Sequence, residues 1–243
     1  MTVSMSKPPT MWIVAGPPGA GKSTLTAALF ADRIGTTRHI DADDTRGFDD
    51  TDDLPDGLIK QIVPVSKRLE IAEAGGRSFV VESRLINRKP LSAAIKLRRR
   101  GWIVALIYLA LPRIDLCRNR VRARVSKGGE EVSDYLMEKG FHAALDNLPK
   151  YIDASARWIV LDASGARKPV IARGSYAAAV QEQSDALGAL LPDYPFLPAS
   201  ASVRIDRSWA ETVTGTFSQL QRWQSTIDHL MAVAADMEAR RGP

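Results

Sequence analysis

The chain holds a single cysteine, Cys117, in 243 residues. An internal disulfide is thereby excluded, and a reducing compartment fits. Long apolar runs are missing too. The longest, Trp102 to Leu111, is too short to cross a bilayer and reads as a central strand. Met1 to Thr10 carries no apolar core of signal-peptide length. These absences predict a cytoplasmic protein with no membrane partner. The net charge is +5, with lysines and arginines crowded between Arg84 and Lys127. A basic patch can mean nucleic acid or a multiply charged nucleotide. No aromatic residues are interleaved with these arginines as stacking platforms, so the small-nucleotide reading is favoured over nucleic acid.

What is present centres on one stretch, Gly16-Pro17-Pro18-Gly19-Ala20-Gly21-Lys22-Ser23-Thr24. A short apolar run, Met11 to Ala15, precedes it, and Leu25 to Ala31 follows with apolar residues at helical spacing. The glycines therefore sit at a strand-to-helix turn, the context in which G-x-x-x-x-G-K-[ST] counts as a P-loop. Such a loop turns its backbone N–H groups inward around a phosphate, and the helix adds its positive end. Lys22 is expected to reach the β- and γ-phosphates, and the Ser23 hydroxyl to hold Mg²⁺. The nucleotide is ATP or GTP.

Apolar strands alternate with helical stretches, which predicts an α/β fold with a parallel sheet flanked by helices. Strands are expected at Trp12 to Ala15, Thr37 to Ile40, Phe79 to Val81, Trp102 to Ala110 and, as the last clear one, Trp158 to Leu161. Helices are expected after Lys22 and over Leu58 to Ala74 with a break at Pro64. Three more follow, over Lys89 to Arg100, from Pro112 to about Val125, and over Val132 to Leu148. The division drawn from this is a P-loop kinase domain, residues 1–170, and a helical C-terminal extension, residues 171–243. Within the extension, Tyr176 to Leu191 reads as an Ala-rich helix and residues 192–200 as a linker. From Trp209 to Met237, apolar residues recur at steps of three and four, one stripe on a long helix over about 206–240. That stripe either packs back on the body or docks a partner.

A P-loop alone implies only that a nucleoside triphosphate binds. In an open α/β sheet the carboxyl ends of neighbouring strands meet in one crevice. Asp41, Asp43 and Glu82 stand at two such ends. A carboxylate there can accept the proton of an attacking hydroxyl, as a small-molecule kinase requires. Arg120 and Arg124 share one helix face, and Arg118 and Arg122 form a second pair. Guanidinium groups stabilise the charge that spreads over a departing γ-phosphoryl group. Lys127-Gly128-Gly129 then breaks the helix, as a mobile lid would need.

Taken in order, the P-loop, Ile40-Asp41-Ala42-Asp43, Phe79-Val-Val-Glu82-Ser83 and Arg120-Val-x-x-Arg124-Val-x-x-Gly128-Gly129 resemble the zeta-toxin family of P-loop kinases. Pro64 to Leu69, with Arg68, is similar to the segment before that family's Glu strand. The resemblance covers about Met11 to Ser164. It implies the toxin of a toxin–antitoxin pair, with a possible antitoxin partner. It also implies phosphorylation of the sugar 3′-hydroxyl of UDP-N-acetylglucosamine or a similar nucleotide sugar. By motif position, Asp43 is the implied general base. Lys22 and Ser23 hold phosphates and Mg²⁺, and Arg120 and Arg124 contact the γ-phosphate. Asp41, Glu82, Ser83 and Arg68 fall in the substrate-binding set. The sequence departs from the pattern after the arginine helix. Glu130 stands where many relatives carry His, and in Val132 to Gly140 only Lys139 supplies positive charge. Two alternatives stay open: a P-loop kinase for another small molecule (nucleoside, antibiotic or dinucleotide), and a non-catalytic ATP-binding regulator that holds a partner through its C-terminal helix.

Overall fold

Runs dense in Val, Ile and Leu form the centre of the molecule because both faces of their sheet are covered. The computed structural model describes residues 8–30, 38–43, 64–129, 131–175 and 204–205, and residues 225, 228, 229 and 232 singly. The elements are β1 (Thr10–Ala15), α1 (Lys22–Phe30), β2 (Arg38–Asp41), α2 (Val65–Ala74), β3 (Phe79–Ser83) and α3 (Arg88–Arg99). They continue with β4 (Ile103–Ala110), α4 (Ile114–Val125), α5 (Asp134–Ala154), β5 (Arg157–Asp162), β6 (Val170–Ser175) and β7 (Arg204–Ile205). The seven strands lie in one sheet in the order β2-β3-β1-β4-β5-β6-β7. The first five are parallel. β1, β3 and β4 are buried along their whole length.

From β1 the chain goes to one side for β2 and β3, then returns to the other side for β4. The carboxyl end of β1 is therefore the point where strand order reverses, the place such sheets keep their ligand crevice. The parallel α/β architecture expected from the alternating pattern is the one observed.

The sheet runs on past Leu161, where the sequence reading ends it. β6 pairs antiparallel with β5, with an irregularity between Val160 and Leu161, and β7 pairs antiparallel with β6. Gly174 lies flat beneath the Trp158 indole; a Cβ there would stand 2.5 Å from Trp158 Cζ2. β6 thus crosses residue 170, the division drawn from the sequence. The expected helix at 176–191, the linker at 192–200 and most of the stripe at 206–240 lie outside the described residues. One described residue of that stretch, His229, places its Nε2 3.2 Å from Asp153 Oδ1 on α5.

α5 also extends further than Leu148. Pro149 removes one backbone donor, yet the helix carries on to Ala154 because Tyr151, Ile152 and Ala154 are buried against the body. Ser133 caps its start, accepting from the Leu136 N–H at 3.3 Å. α2 begins only at Val65, after an extended Pro64 with φ −51° and ψ 149°. Residues 58–63 of the longer helix expected there lie outside the described residues.

Candidate active site

Between β1 and α1 the chain turns tightly at Gly16 to Gly21. Gly16 has φ +150°, and a Cβ on it would lie 2.5 Å from the backbone oxygen of Leu109 on β4. Only a residue without a Cβ fits there. The Gly16 N–H donates to Ser83 O at 3.2 Å, which ties the turn to β3. Pro17 and Pro18 are buried, and the Ala20 N–H closes the turn onto Pro17 O at 3.2 Å. Lys22 reaches back over the loop, its Nζ donating to Gly16 O at 3.0 Å and to Pro17 O at 3.3 Å. Burial lowers the pKa of this ammonium, against the opposing pull of the Asp43, Glu82 and Asp41 carboxylates. Thr24 lies exposed on the first turn of α1.

The acidic residues arrive from two strands. β3 lies between β1 and β2, so Glu82 comes from the neighbour of the P-loop strand and Asp41 from one strand further out. The two face each other in register. Glu82 is 2% exposed. Its Oε2 accepts from the Ser23 hydroxyl at 2.7 Å, and its Oε1 lies 3.1 Å from His39 Nε2. Burial pushes the Glu82 carboxyl up, but the bonds from His39 and Ser23 outweigh it and hold the group below its usual range. The same bond raises His39 above its ordinary value, and the nearby Arg68 guanidinium works against that rise.

Asp43 sits just past β2. Its Oδ2 accepts from the Arg84 N–H at 2.6 Å and lies 3.3 Å from Arg84 Nε. Its own N–H donates to Asp41 Oδ1 at 2.9 Å. Burial raises the Asp43 carboxyl above its usual range, although the Arg84 and Lys22 charges pull it down. The Ala42 N–H donates to Glu82 O at 2.9 Å and the Gly16 N–H to Ser83 O at 3.2 Å, so the segment carrying Asp43 and the P-loop flank the same carboxyl end of β3. Ser83 is fully buried and its hydroxyl accepts from the Leu85 N–H at 2.9 Å.

Arg120, on α4, donates to Gly19 O at 3.3 Å and to Ser164 O at 2.7 Å, bridging the P-loop and the loop after β5. Arg124, one turn on, is exposed and lies beside Gly129, where a Cβ would meet its Cγ at 2.6 Å. Arg118 approaches Asp115 and Asp134, each at 3.5 Å, and so joins α4 to the start of α5. Lys139 sits 5.9 Å from the Tyr135 ring centre.

The structure thus gathers Lys22, Ser23, Asp41, Asp43, Glu82 and Arg120 around the turn after β1. It adds residues that the sequence reading passed over: His39 and Arg84, which hold the two carboxylates, and Asn147 and Tyr151 of α5, which hold the loop carrying Arg84. For His39 and Arg84 the only sequence signal is adjacency, and Asn147 and Tyr151 carry none. His39 stands two residues before Asp41, and Arg84 directly follows Glu82-Ser83.

A parallel α/β sheet with a Gly-x-x-x-x-Gly-Lys-Ser turn at its reversal point defines a P-loop protein. A family model described as an AAA domain matches residues 11–145, more than half of the chain, and the chain belongs to that family. Among curated proteins it is similar to toxin zeta of Enterococcus hirae, 25% identical over 118 residues, covering 44% of this chain and 41% of the relative. The chain spans about two-fifths of the length of the curated relative it matches. Among solved structures it is similar to the AvrRxo1-ORF1:-ORF2 complex, with a TM-score of 0.47 and 15% identity over 97% of this chain and 80% of that one. It is also similar to the PezAT chromosomal toxin–antitoxin system of Streptococcus pneumoniae, with a TM-score of 0.44 and 13% identity over 96% and 90%. No helix among the described residues is long and apolar enough to cross a membrane.

Proposed function

We propose that the chain is a P-loop kinase that transfers the γ-phosphate of ATP to a hydroxyl of a small nucleotide-type substrate. The acceptor class is a nucleotide sugar similar to UDP-N-acetylglucosamine, and the biological role is that of a toxin with an antitoxin partner. The observation that carries the reading is the Asp43 carboxylate, 11% exposed and held by Arg84 at the end of β3 where the P-loop is also tied.

The chemistry follows from the residues. Asp43 takes the proton of the acceptor hydroxyl as the hydroxyl oxygen bonds to the γ-phosphorus. The bond from that phosphorus to the β–γ bridging oxygen breaks, and ADP leaves. A base works best with its pKa drawn toward the working pH. Burial moves Asp43 that way. Lys22 and the loop N–H groups neutralise the phosphates. Arg120, anchored on the loop carbonyl of Gly19, adds positive charge beside them. Arg124, Asp41 and Arg68 complete the contacts to γ-phosphate and acceptor, whereas Ser83, expected among them, is fully buried and its hydroxyl holds the Leu85 N–H instead.

Mg²⁺ fits the residues present. The Ser23 hydroxyl and the Glu82 carboxylate, 2.7 Å apart, form a hard-oxygen pair with the carboxylate held ionised. No cluster of three metal-ligating side chains occurs among the described residues, which suits an ion that takes one or two protein oxygens and completes its shell with phosphates and water. Bound there, the ion neutralises phosphate charge during transfer.

The test is the product formed when purified protein meets labelled ATP, Mg²⁺ and a nucleotide-sugar mixture. Asp43→Asn should keep ATP affinity within about threefold and lose transfer by roughly 10²- to 10⁴-fold. If the variant transfers phosphate as fast as the parent, the base is misassigned. If neither the sugars nor a panel of nucleosides, antibiotics and dinucleotides accepts phosphate, the kinase reading fails.

A further inference from the structure

Asp43 is held by Arg84, and Arg84 belongs to a short loop, residues 84–87, between β3 and α3. That loop contains Leu85 at φ +60°, the one non-glycine residue in the left-handed region among the described residues. A leucine stays there only when its surroundings over-determine it. Three bonds do so. Ser83 Oγ accepts from the Leu85 N–H at 2.9 Å, Asn147 Nδ2 donates to Leu85 O at 3.0 Å, and the Tyr151 hydroxyl donates to Asn87 O at 3.1 Å. The Leu85 side chain is buried as well.

Asn147 and Tyr151 stand four apart on one face of α5. Seven residues before Asn147, Gly140 of the same helix packs on the P-loop. A Cβ there would lie 3.3 Å from Pro18 Cγ and 3.6 Å from Ile86 Cδ1. One rigid helix therefore touches both the phosphate loop and the loop that holds the carboxylate.

We propose that Asn147 is a positioning residue for phosphoryl transfer: through Leu85 it sets the Arg84 amide, and through that amide the Asp43 carboxylate, at a fixed distance from the P-loop. The inference rests on the kinase reading above. A displacement of the base by a fraction of an ångström to an ångström is costly to transfer, while nucleotide binding, built on the P-loop itself, is untouched.

Asn147→Leu keeps the volume of the side chain and removes the donor. Two readouts decide. In the ¹⁵N–¹H spectrum the Arg84 amide, which donates to a carboxylate in the parent, should move upfield. kcat should fall roughly 10- to 100-fold, with ATP affinity unchanged within about twofold. An unmoved Arg84 amide overturns the proposal, and so does a loss of ATP affinity in step with kcat. Should Asn147→Leu fail to fold, Tyr151→Phe removes one hydroxyl and should move the same resonance, with kcat down about threefold to tenfold. If the parent protein phosphorylates no acceptor, the kinase reading falls. A displaced Arg84 amide then still upholds the link from Asn147 to Asp43, and an unmoved one ends it.

Discussion

An alanine at position 16 meets two obstacles at once. The backbone there has φ +150°, which costs an L-residue about 1–3 kcal/mol. Its Cβ also falls 2.5 Å from Leu109 O, with Ala20 Cβ and Leu109 Cβ both at 3.2 Å. A carbon–oxygen contact settles near 3.3 Å, so one partner must retreat by roughly 0.8 Å. Leu109 cannot, since it lies fully buried in the central strand β4. The P-loop must give, at a further cost of about 1–3 kcal/mol. The midpoint of the sum, about 4 kcal/mol, lowers Tm by roughly 8–16 °C in a chain of this length. Gly21 offers the control. It has φ +88° but nothing within 4 Å of a Cβ, so Gly21→Ala carries the backbone cost alone, about 2 kcal/mol and roughly 4–8 °C. Differential scanning fluorimetry on both variants separates the two contributions. ATP titration adds a second reading: Gly16→Ala should weaken binding by about tenfold or more, because Lys22 is anchored on the Gly16 carbonyl. Equal melting temperatures for the two variants would refute the close approach between the loop and β4.

The remaining predictions concern the carboxylates and the far strand. His39 is raised by its bond to Glu82. Its contribution to stability is therefore complete below the ordinary imidazole value and lost as pH rises through the raised one. Glu82→Gln should abolish that decline in Tm with pH; a decline that survives the substitution assigns it to another group. Arg84→Met should drive the Asp43 pKa still higher, because the guanidinium was pulling it down. The acid limb of the kcat/KM profile then moves to higher pH, and a limb that stays in place contradicts the pairing. Gly174→Ala sets a Cβ 2.5 Å from the Trp158 ring, and overpacking of that kind costs about 1–3 kcal/mol. If β6 belongs to the same folding unit as the P-loop, the whole chain melts about 2–12 °C lower in a single transition. Two transitions, with ATP still protecting the higher one, would separate them.

The P-loop, the buried strands and the acidic strand ends are readable in the sequence because each signal is local: a glycine pattern, an apolar run, an aspartate after β2. Asp43 and Glu82 can be placed at strand ends that way. What escapes is relational. β6 is hidden because Arg173 and Gly174 interrupt its apolar residues, and the reason for the glycine is an indole from another strand. α5 passes Pro149 because burial of Tyr151 and Ile152 outweighs one missing donor. Arg84 and Asn147 are ordinary loop and helix residues until the fold brings Asp43 and Leu85 to them. The order of the strands is equally silent: nothing in the chain announces that β3 is inserted between β1 and β2.

That insertion makes Phe79–Ser83 intolerant of indels. Both its edges are paired, and side chains alternate between the two sides of the sheet. Adding or deleting one residue there would exchange Glu82 for a neighbour and strand both the Ser23 hydroxyl and the His39 ring. The turn at Gly75 and Gly76, exposed and just ahead of the strand, can absorb the same change in length. Homologues and engineered libraries should therefore vary in length at that turn and keep strict spacing from Phe79 to Arg84.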